Sequence, residues 1–244
     1  MTPIPKQIFM CDKTLDFIQK YSIHWKKLNP EYKIFLFDDE MCKAFLKRLF
    51  HPIVSQVFEF IPSGPIKSDL WRICVLLKLG GVYVDADIQP LVPLRLFVDR
   101  SADFVTCRAY STNTQRKFNP NFIVSNKENP ILRNALKWYV KKFQQKHPFE
   151  YWDWSVMKCF TAVLAPNSRN MQVQFITEVK GFNHYDDHNV YKGKRVFNNR
   201  YKSWDFKKHE FKKLVEVVKR DEKGNEKGNE KGNEKEFVDF DYFS

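Results

Sequence analysis

The run "SDLWRICVLLKLGGVYVDADI", residues 68–88, constrains the fold of this chain more than any other stretch. Leu70, Ile73, Cys74 and Leu77 recur at helical spacing. Ser68 is a natural N-cap, Asp69 complements the positive end of the helix dipole, and Gly80 or Gly81 supplies a left-handed stop. An apolar strand, "VYVDADI", follows at once. A helix leading directly into a buried strand is half of an α/β unit.

That strand carries Asp85 and Asp87. Residues i and i+2 of a strand point to one face, so the two carboxylates are expected side by side at its carboxyl end. Open α/β sheets bind ligands at that end. Paired carboxylates repel each other unless a cation or a donor group lies between them. Hard divalent ions take oxygen ligands and bridge to phosphate, so the pair suggests a metal–diphosphate site. The alternative is that one Asp caps a loop and the other faces water, since a bare D-x-D is a common pattern. Asp69 and Arg72, three apart on the preceding helix, form an exposed pair in this reading. It is either an ordinary surface ion pair or an acceptor and a forked donor lining the same cleft.

The rest of the chain continues the alternation. "PKQIFM" reads as a strand and "LDFIQKYSIHWKKL" as a helix, with Leu15, Ile18, Tyr21, Trp25 and Leu28 on one face. "YKIFLF" reads as a strand, and "DDEMCKAFLKRLF" as a helix capped by Asp38 or Asp39. "VSQVFEFI" reads as a helix and "PSGPIK" as a loop. "DFVTCRAY" and "MQVQFITEV" read as strands; "NPILRNALKWYVKKFQQ" and "YWDWSVMKCFTAVL" read as helices. Residues 181–204 read as loop-rich, followed by a basic helix, "KKHEFKKLVEVVKR". That helix is most simply a solvated face; the alternative is a surface that attracts an anionic donor or membrane.

The expected organisation is a single α/β domain over residues 1–220, with a central, mostly parallel sheet flanked by helices. A low-complexity segment built on "EKGNEKGNEKGNEK" occupies 221–236, and a short apolar tail, 237–244, ends the chain. Gly and Asn in every repeat oppose both helix and strand, so this segment reads as solvated.

The formal net charge is +12. It favours anionic partners without choosing among them. No helix-turn-helix, zinc finger or basic-aromatic reader motif is present, so specific nucleic-acid binding is not expected. Five scattered cysteines with no C-x-x-C read as reduced thiols rather than a disulfide framework or a cysteine zinc site. No signal peptide and no run of about 20 apolar residues is seen, which reads as a cytoplasmic protein. "HYDDH", with His184, Asp186, Asp187 and His188, is either a metal site or, by default, a polar loop, because Gly181 and Asn183 oppose the helix such a His pair needs.

Taken together, "SDLWRICVLLKLGGVYVDADIQPLVPL" resembles the core of the glycosyltransferases that carry a DXD sugar-binding motif. These are the family-32-like enzymes of the outer-chain mannosyltransferase and α-1,4-galactosyltransferase type. "IPKQIF", "NPEYKIFLFDD", "FNPNFIVSNKENPIL" and "YKSW" resemble further blocks in the family's order, the third being its Asn-bearing loop, and the likeness runs over roughly residues 3–205. The resemblance implies a GT-A (Rossmann-like) fold and a nucleotide-sugar donor, a UDP-sugar first and GDP-mannose second. It also implies Mn²⁺ or Mg²⁺ and retention of anomeric configuration. The acceptor would be a glycan, a protein or a lipid. By resemblance, Asp85, Asp87 and Arg72 are catalytic. The metal ligands are Asp87, Asp85, Asn199 and Ser203. The donor is held by Ile8, Phe9, Asp69, Arg72, Asp85, Asn121, Ser203 and Trp204. The chain departs from the family pattern at Phe9 and Met10, at Asn198 and Asn199, and at Thr161–Val163. Those departures motivate the alternative, a donor- or glycan-binding protein whose catalytic site has decayed.

Overall fold

A computed structural model of the protein describes residues 4–109, 118–167, 171–180 and 187–199. The chain divides into two units, Met1–Trp204 and Asp205–Ser244. The second unit lies outside the described residues, and with it the basic C-terminal helix, the repeat segment and the tail. Ser203, Trp204, His184 and Asp186 also lie outside them.

The described elements are β1 (Gln7–Cys11), α1 (Leu15–Leu28), β2 (Lys33–Phe37), α2 (Asp39–Leu49), α3 (Pro52–Phe60), α4 (Gly64–Leu79) and β3 (Gly81–Val84). They continue with β4 (Gln89–Pro90), β5 (Phe104–Arg108), β6 (Phe118–Ser125), α5 (Pro130–Gln144), α6 (Val156–Asn167), β7 (Val173–Val179), β8 (His188–Tyr191) and β9 (Lys194–Asn198). One sheet has the order β2-β1-β3-β6-β5-β7-β8-β9-β4. It is mixed around a parallel core. The β2-β1-β3 portion is parallel, as is the β5–β7 pair. The β3–β6, β5–β6, β7–β8, β8–β9 and β4–β9 pairs are antiparallel. The expected α/β class is present; the sheet is mixed, with its parallel pairs confined to β2-β1-β3 and β5–β7.

Alternation along the strands sorts two cores. Ile8, Met10, Val82, Val84, Phe122 and Val124 face one way and pack with Trp25 of α1, Phe97 and Phe197. Phe9, Phe37 and Tyr83 face the other way and meet Phe45 and Trp71. The second face lies under α4, which buries Leu70, Trp71, Ile73, Cys74, Val75, Leu76 and Leu77. A helix apolar on nearly every side belongs inside the molecule rather than on its surface.

Several local expectations are corrected. Helix α4 begins four residues before Ser68, at Gly64, with Ser63 at the cap position and Pro65 in its first turn. Proline tolerates that position because its missing N–H has no partner there. "PSGPIK" is therefore partly helical, and Ser68 is an interior residue. Strand β3 stops at Val84, and Asp85–Asp87 form a turn in which Ile88 N donates to Asp85 O at 3.1 Å. The same-strand argument for Asp85 and Asp87 thus fails, although both stand at the strand's carboxyl end. "FNPNFIVS", read as loop, is the central strand β6. Tyr151–Trp154 form a turn before α6. Residues 188–198, read as loop-rich, form the β8–β9 hairpin.

The stop of α4 behaves as expected. Gly80 (φ 67°) and Gly81 (φ 99°) turn the chain into β3. A Cβ on Gly81 would stand 2.6 Å from Gln7 Cγ and 2.8 Å from Gln7 O, so β1 presses directly on this turn.

Candidate active site

The parallel strands β1, β2 and β3 end on the same edge of the sheet. There a cavity of about 650 Å³ opens between those ends and the first turns of α4. Its volume lies within the usual range of small-molecule sites, roughly 300–1,000 Å³. Cys11, Asp12 and Lys13 enter from β1, and Ser68, Trp71 and Arg72 from α4. Asp85, Ala86 and Asp87 enter from the turn after β3.

Arg72 organises the floor. Its Nη2 lies 2.9 Å from Asp69 Oδ1 and 2.9 Å from Asp85 Oδ1. Its Nη1 donates to Pro120 O on β6 at 2.6 Å, and its Nε donates to Ser68 O at 3.3 Å. The guanidinium also lies 4.5 Å from the centre of the Tyr83 ring. Asp69 and Arg72 are 8% and 5% exposed, so the pair is buried, not exposed as expected from spacing. Burial opposes the charge on Arg72, but Asp85, Tyr83 and Asp69 outweigh it and hold the guanidinium charged.

The acids respond to the same surroundings. Burial raises Asp69 to about 6 against the pull of Arg72 and of the Val156 amide. That amide, at the first turn of α6, donates to Asp69 Oδ2 at 2.9 Å from 87 residues away in sequence. Burial also raises Asp85, opposed by Arg72 and Tyr83. The Tyr83 hydroxyl donates to Asp85 Oδ1 at 2.8 Å and lies 2.7 Å from Ser68 Oγ. Because Tyr83 spends its proton on Asp85, Ser68 is the donor to Tyr83. Both donors to Asp85 use Oδ1. The cation that the paired aspartates call for is therefore, at Asp85, an arginine of this chain.

Asp69, Arg72 and Asp85 come together; Arg72, Asp85 and Asp87 line the cavity, and Asp69 reaches it through Arg72. Asn121 stands beside them: its backbone oxygen accepts from Asp85 N at 2.9 Å. The Asn121 side chain is buried, and its Oδ1 has no hydrogen-bond partner among the described residues. Asn121 does not line the cavity; its tie to the site is that backbone bond to Asp85. Other expected residues are placed elsewhere. Ile8 and Phe9 are fully buried in the two cores; the end of β1 that reaches the cavity is Cys11–Lys13. Asn199 is buried with its Nδ2 donating to Glu178 Oε1 at 3.3 Å and its backbone N donating to Asp187 O at 2.8 Å. It does not line the cavity. Asp187 and His188 of "HYDDH" are at the start of the β8–β9 hairpin, and no cluster of three or more His, Cys, Asp or Glu suited to a metal occurs among the described residues.

Tyr83 and Ser68 were missed from sequence. The signal for Tyr83 was available, because Tyr83 precedes Asp85 by two in a strand-like run. No signal marked Ser68, which looked like a cap.

Residues 16–105 match the profile of the glycosyltransferase sugar-binding region containing the DXD motif. The chain is 25% identical over 127 residues to an initiation-specific α-1,6-mannosyltransferase of Candida albicans, covering 51% of this chain and 31% of the relative. It is 29% identical over 147 residues to the enzyme of that name from Schizosaccharomyces pombe, covering 58% and 34%. The matched segments therefore span about a third of those relatives. Among solved structures, the PaToxG glycosyltransferase aligns with a TM-score of 0.53 at 21% identity, over 67% of this chain and 70% of that one. That likeness is one of fold, and the fold is of the GT-A type.

Proposed function

Because this chain carries a glycosyltransferase sugar-binding region with its DXD motif, we propose that it transfers a hexose or N-acetylhexosamine from a nucleoside-diphosphate sugar to a hydroxyl of a glycan, protein or lipid. The observation that carries this reading is Arg72 bridging Asp69 and Asp85 at the floor of a cavity at the sheet's carboxyl edge. A buried guanidinium and two carboxylates present donors and acceptors in fixed directions, as recognition of sugar hydroxyls requires. Asp69 accepts from the sugar, while Arg72 donates to it and keeps both acids oriented.

The donor set suits Mn²⁺ or Mg²⁺. Asp85 Oδ2 is not used by Arg72 or Tyr83, and Asp87 adds a second carboxylate on the same wall. These are hard oxygens of the kind such ions take. When bound, the ion would stabilise charge on the departing diphosphate. By the resemblance, Ser203 would be a further ligand and Trp204 would contact the donor's diphosphate. We place UDP-sugars first and GDP-mannose second as donors. Asp85 is held by two donors through one oxygen, an environment of a positioning group rather than a nucleophile. Of the two routes to the retention that the resemblance implies, this favours same-face attack assisted by the leaving phosphate. The five cysteines are free thiols, which supports a reducing, cytoplasmic setting.

A thermal-shift series with UDP, GDP and their sugars, each with and without Mn²⁺, tests the reading. A ligand at 100 times its Kd adds about 2.7 kcal/mol to the folded state. The expected result is a shift for one nucleotide that requires the ion, followed by release of free sugar or transfer. No shift with any donor overturns the proposal, and a shift without turnover reduces it to donor binding.

A further inference from the structure

Cys11 ends β1 and Cys42 lies in α2, and both line the cavity. Cys11 stands opposite Phe37 of β2, and Cys42 N, in the first turn of α2 just after that strand, donates to Asp38 O at 2.9 Å, which brings the two cysteines to one part of the wall. Cys11 Sγ also lies 3.2 Å from Ser68 Oγ and 3.8 Å from the Tyr83 hydroxyl. Cys74, Cys107 and Cys159 are 0% exposed and are not among the residues that line the cavity.

We propose that Cys11 and Cys42 form a thiol-modification site that opens into the cavity and takes small organic disulfides. Cys11 is the attacking thiol. Cys42, and with it the charge of Arg72, lowers its pKa against the effect of burial. Burial, and then Cys11 itself, raise that of Cys42. The pair is thus asymmetric in the way that separates an attacking thiolate from a resolving thiol. In the first step the Cys11 thiolate attacks one sulfur of the reagent, the reagent's S–S bond breaks, and one thiol leaves. In the second, Cys42 loses its proton and attacks the Cys11 sulfur, and the second thiol leaves. Two protein thiols are oxidised and one reagent disulfide is reduced to two thiols. All five cysteines are buried, but the other three do not line the cavity, and burial raises all three with no nearby cation to outweigh it.

The site does not depend on the identity of the nucleotide-sugar. Its test is to incubate the full chain, reduced and then freed of reductant, with 2-hydroxyethyl disulfide in native buffer and to map the cysteines by mass spectrometry. The expected product is a linked Cys11–Cys42 peptide pair lacking two hydrogens, formed about tenfold or more faster than any change at the other three cysteines. In Cys42→Ala the reaction stops at a mixed disulfide on Cys11. Equal reaction at all five cysteines overturns the assignment. So does reaction only after denaturation, or a Cys42→Ala chain with no adduct at Cys11.

Discussion

The Tyr83 hydroxyl donates to Asp85 Oδ1 at 2.8 Å, on the same carboxylate oxygen that Arg72 Nη2 meets at 2.9 Å. Two donors on one oxygen leave little freedom in the carboxylate's plane. They also oppose burial, which raises the Asp85 pKa. Tyr83→Phe removes the neutral donor and keeps the ring under Arg72. The expected result is a stability loss of about 1–2 kcal/mol and a fall in donor turnover of roughly tenfold. Denaturant unfolding and steady-state kinetics read the two effects separately. Unchanged turnover would show that Arg72 alone positions Asp85.

Arg72 is a cation shared by Asp69 and Asp85. Arg72→Met keeps much of its volume but takes that counter-charge from both acids, a loss of about 3–5 kcal/mol. Arg72→Lys restores charge without the fork and should recover part of the stability but little activity. Melting temperatures and donor turnover of the two variants check this; equal turnover in the Arg72→Lys and wild-type chains would remove the fork from the mechanism.

Asp87 stands on the cavity wall, beside the Arg72 ion pairs with Asp69 and Asp85. Asp87→Ala is expected to lower donor turnover by roughly 10²-fold or more, in proportion to the lost charge stabilisation. Folding should change by less than about 1 kcal/mol. Chelation of the wild-type protein should give the same loss, reversed by Mn²⁺. A chelated protein that keeps full activity would separate this chain from the metal-assisted reaction.

Asp69, raised to about 6 by burial, meets Arg72 and the Val156 amide directly and feels the charge of Asp85. A carboxylate that accepts hydrogen bonds from a sugar must be ionised, so kcat/KM should fall as pH drops through about 6 and level off above it. Asp69→Asn removes that limb of the profile along with most of the activity. A limb that survives in Asp69→Asn belongs to another group.

Gly81→Ala asks for a Cβ 2.6 Å from Gln7 Cγ at φ 99°. A loss of about 2 kcal/mol or more is expected from the strained conformation and the clash with β1. Because the same turn delivers Asp85 to the site, turnover should fall with it. A wild-type melting temperature in Gly81→Ala would show that β1 yields at Gln7.

How much of this was legible in the sequence depended on whether a residue's role is local. The stop at Gly80–Gly81 is a backbone property, and it read correctly. Asp38 read correctly as a cap, and its side chain accepts from Met41 N at 2.8 Å. The Asp69–Arg72 spacing was readable, but its burial was not. The buried state of α4 comes from β3, β6 and α5–α6, which spacing along α4 cannot report. β6 was missed because Asn119, Pro120 and Asn121 interrupt its alternation. Pro120 has no N–H to leave unpaired, and its carbonyl serves Arg72. Asp85 and Asp87 were placed on the right edge by a wrong route, since a turn rather than a strand face brings them to the cavity.

The bond from Val156 N to Asp69 Oδ2 has a consequence for the order in which the molecule can be assembled. The segment that matches the family profile stops at residue 105, yet the floor of the cavity borrows Pro120 from β6 and Val156 from α6. A polypeptide cut at 105 would hold the three charged side chains without the backbone groups that make their burial tolerable. During synthesis the acid at position 69 waits for a partner made 87 residues later. Contacts of such span close late and fold slowly. The site is therefore complete only once α6 has been made, and no fragment that ends before α6 contains it.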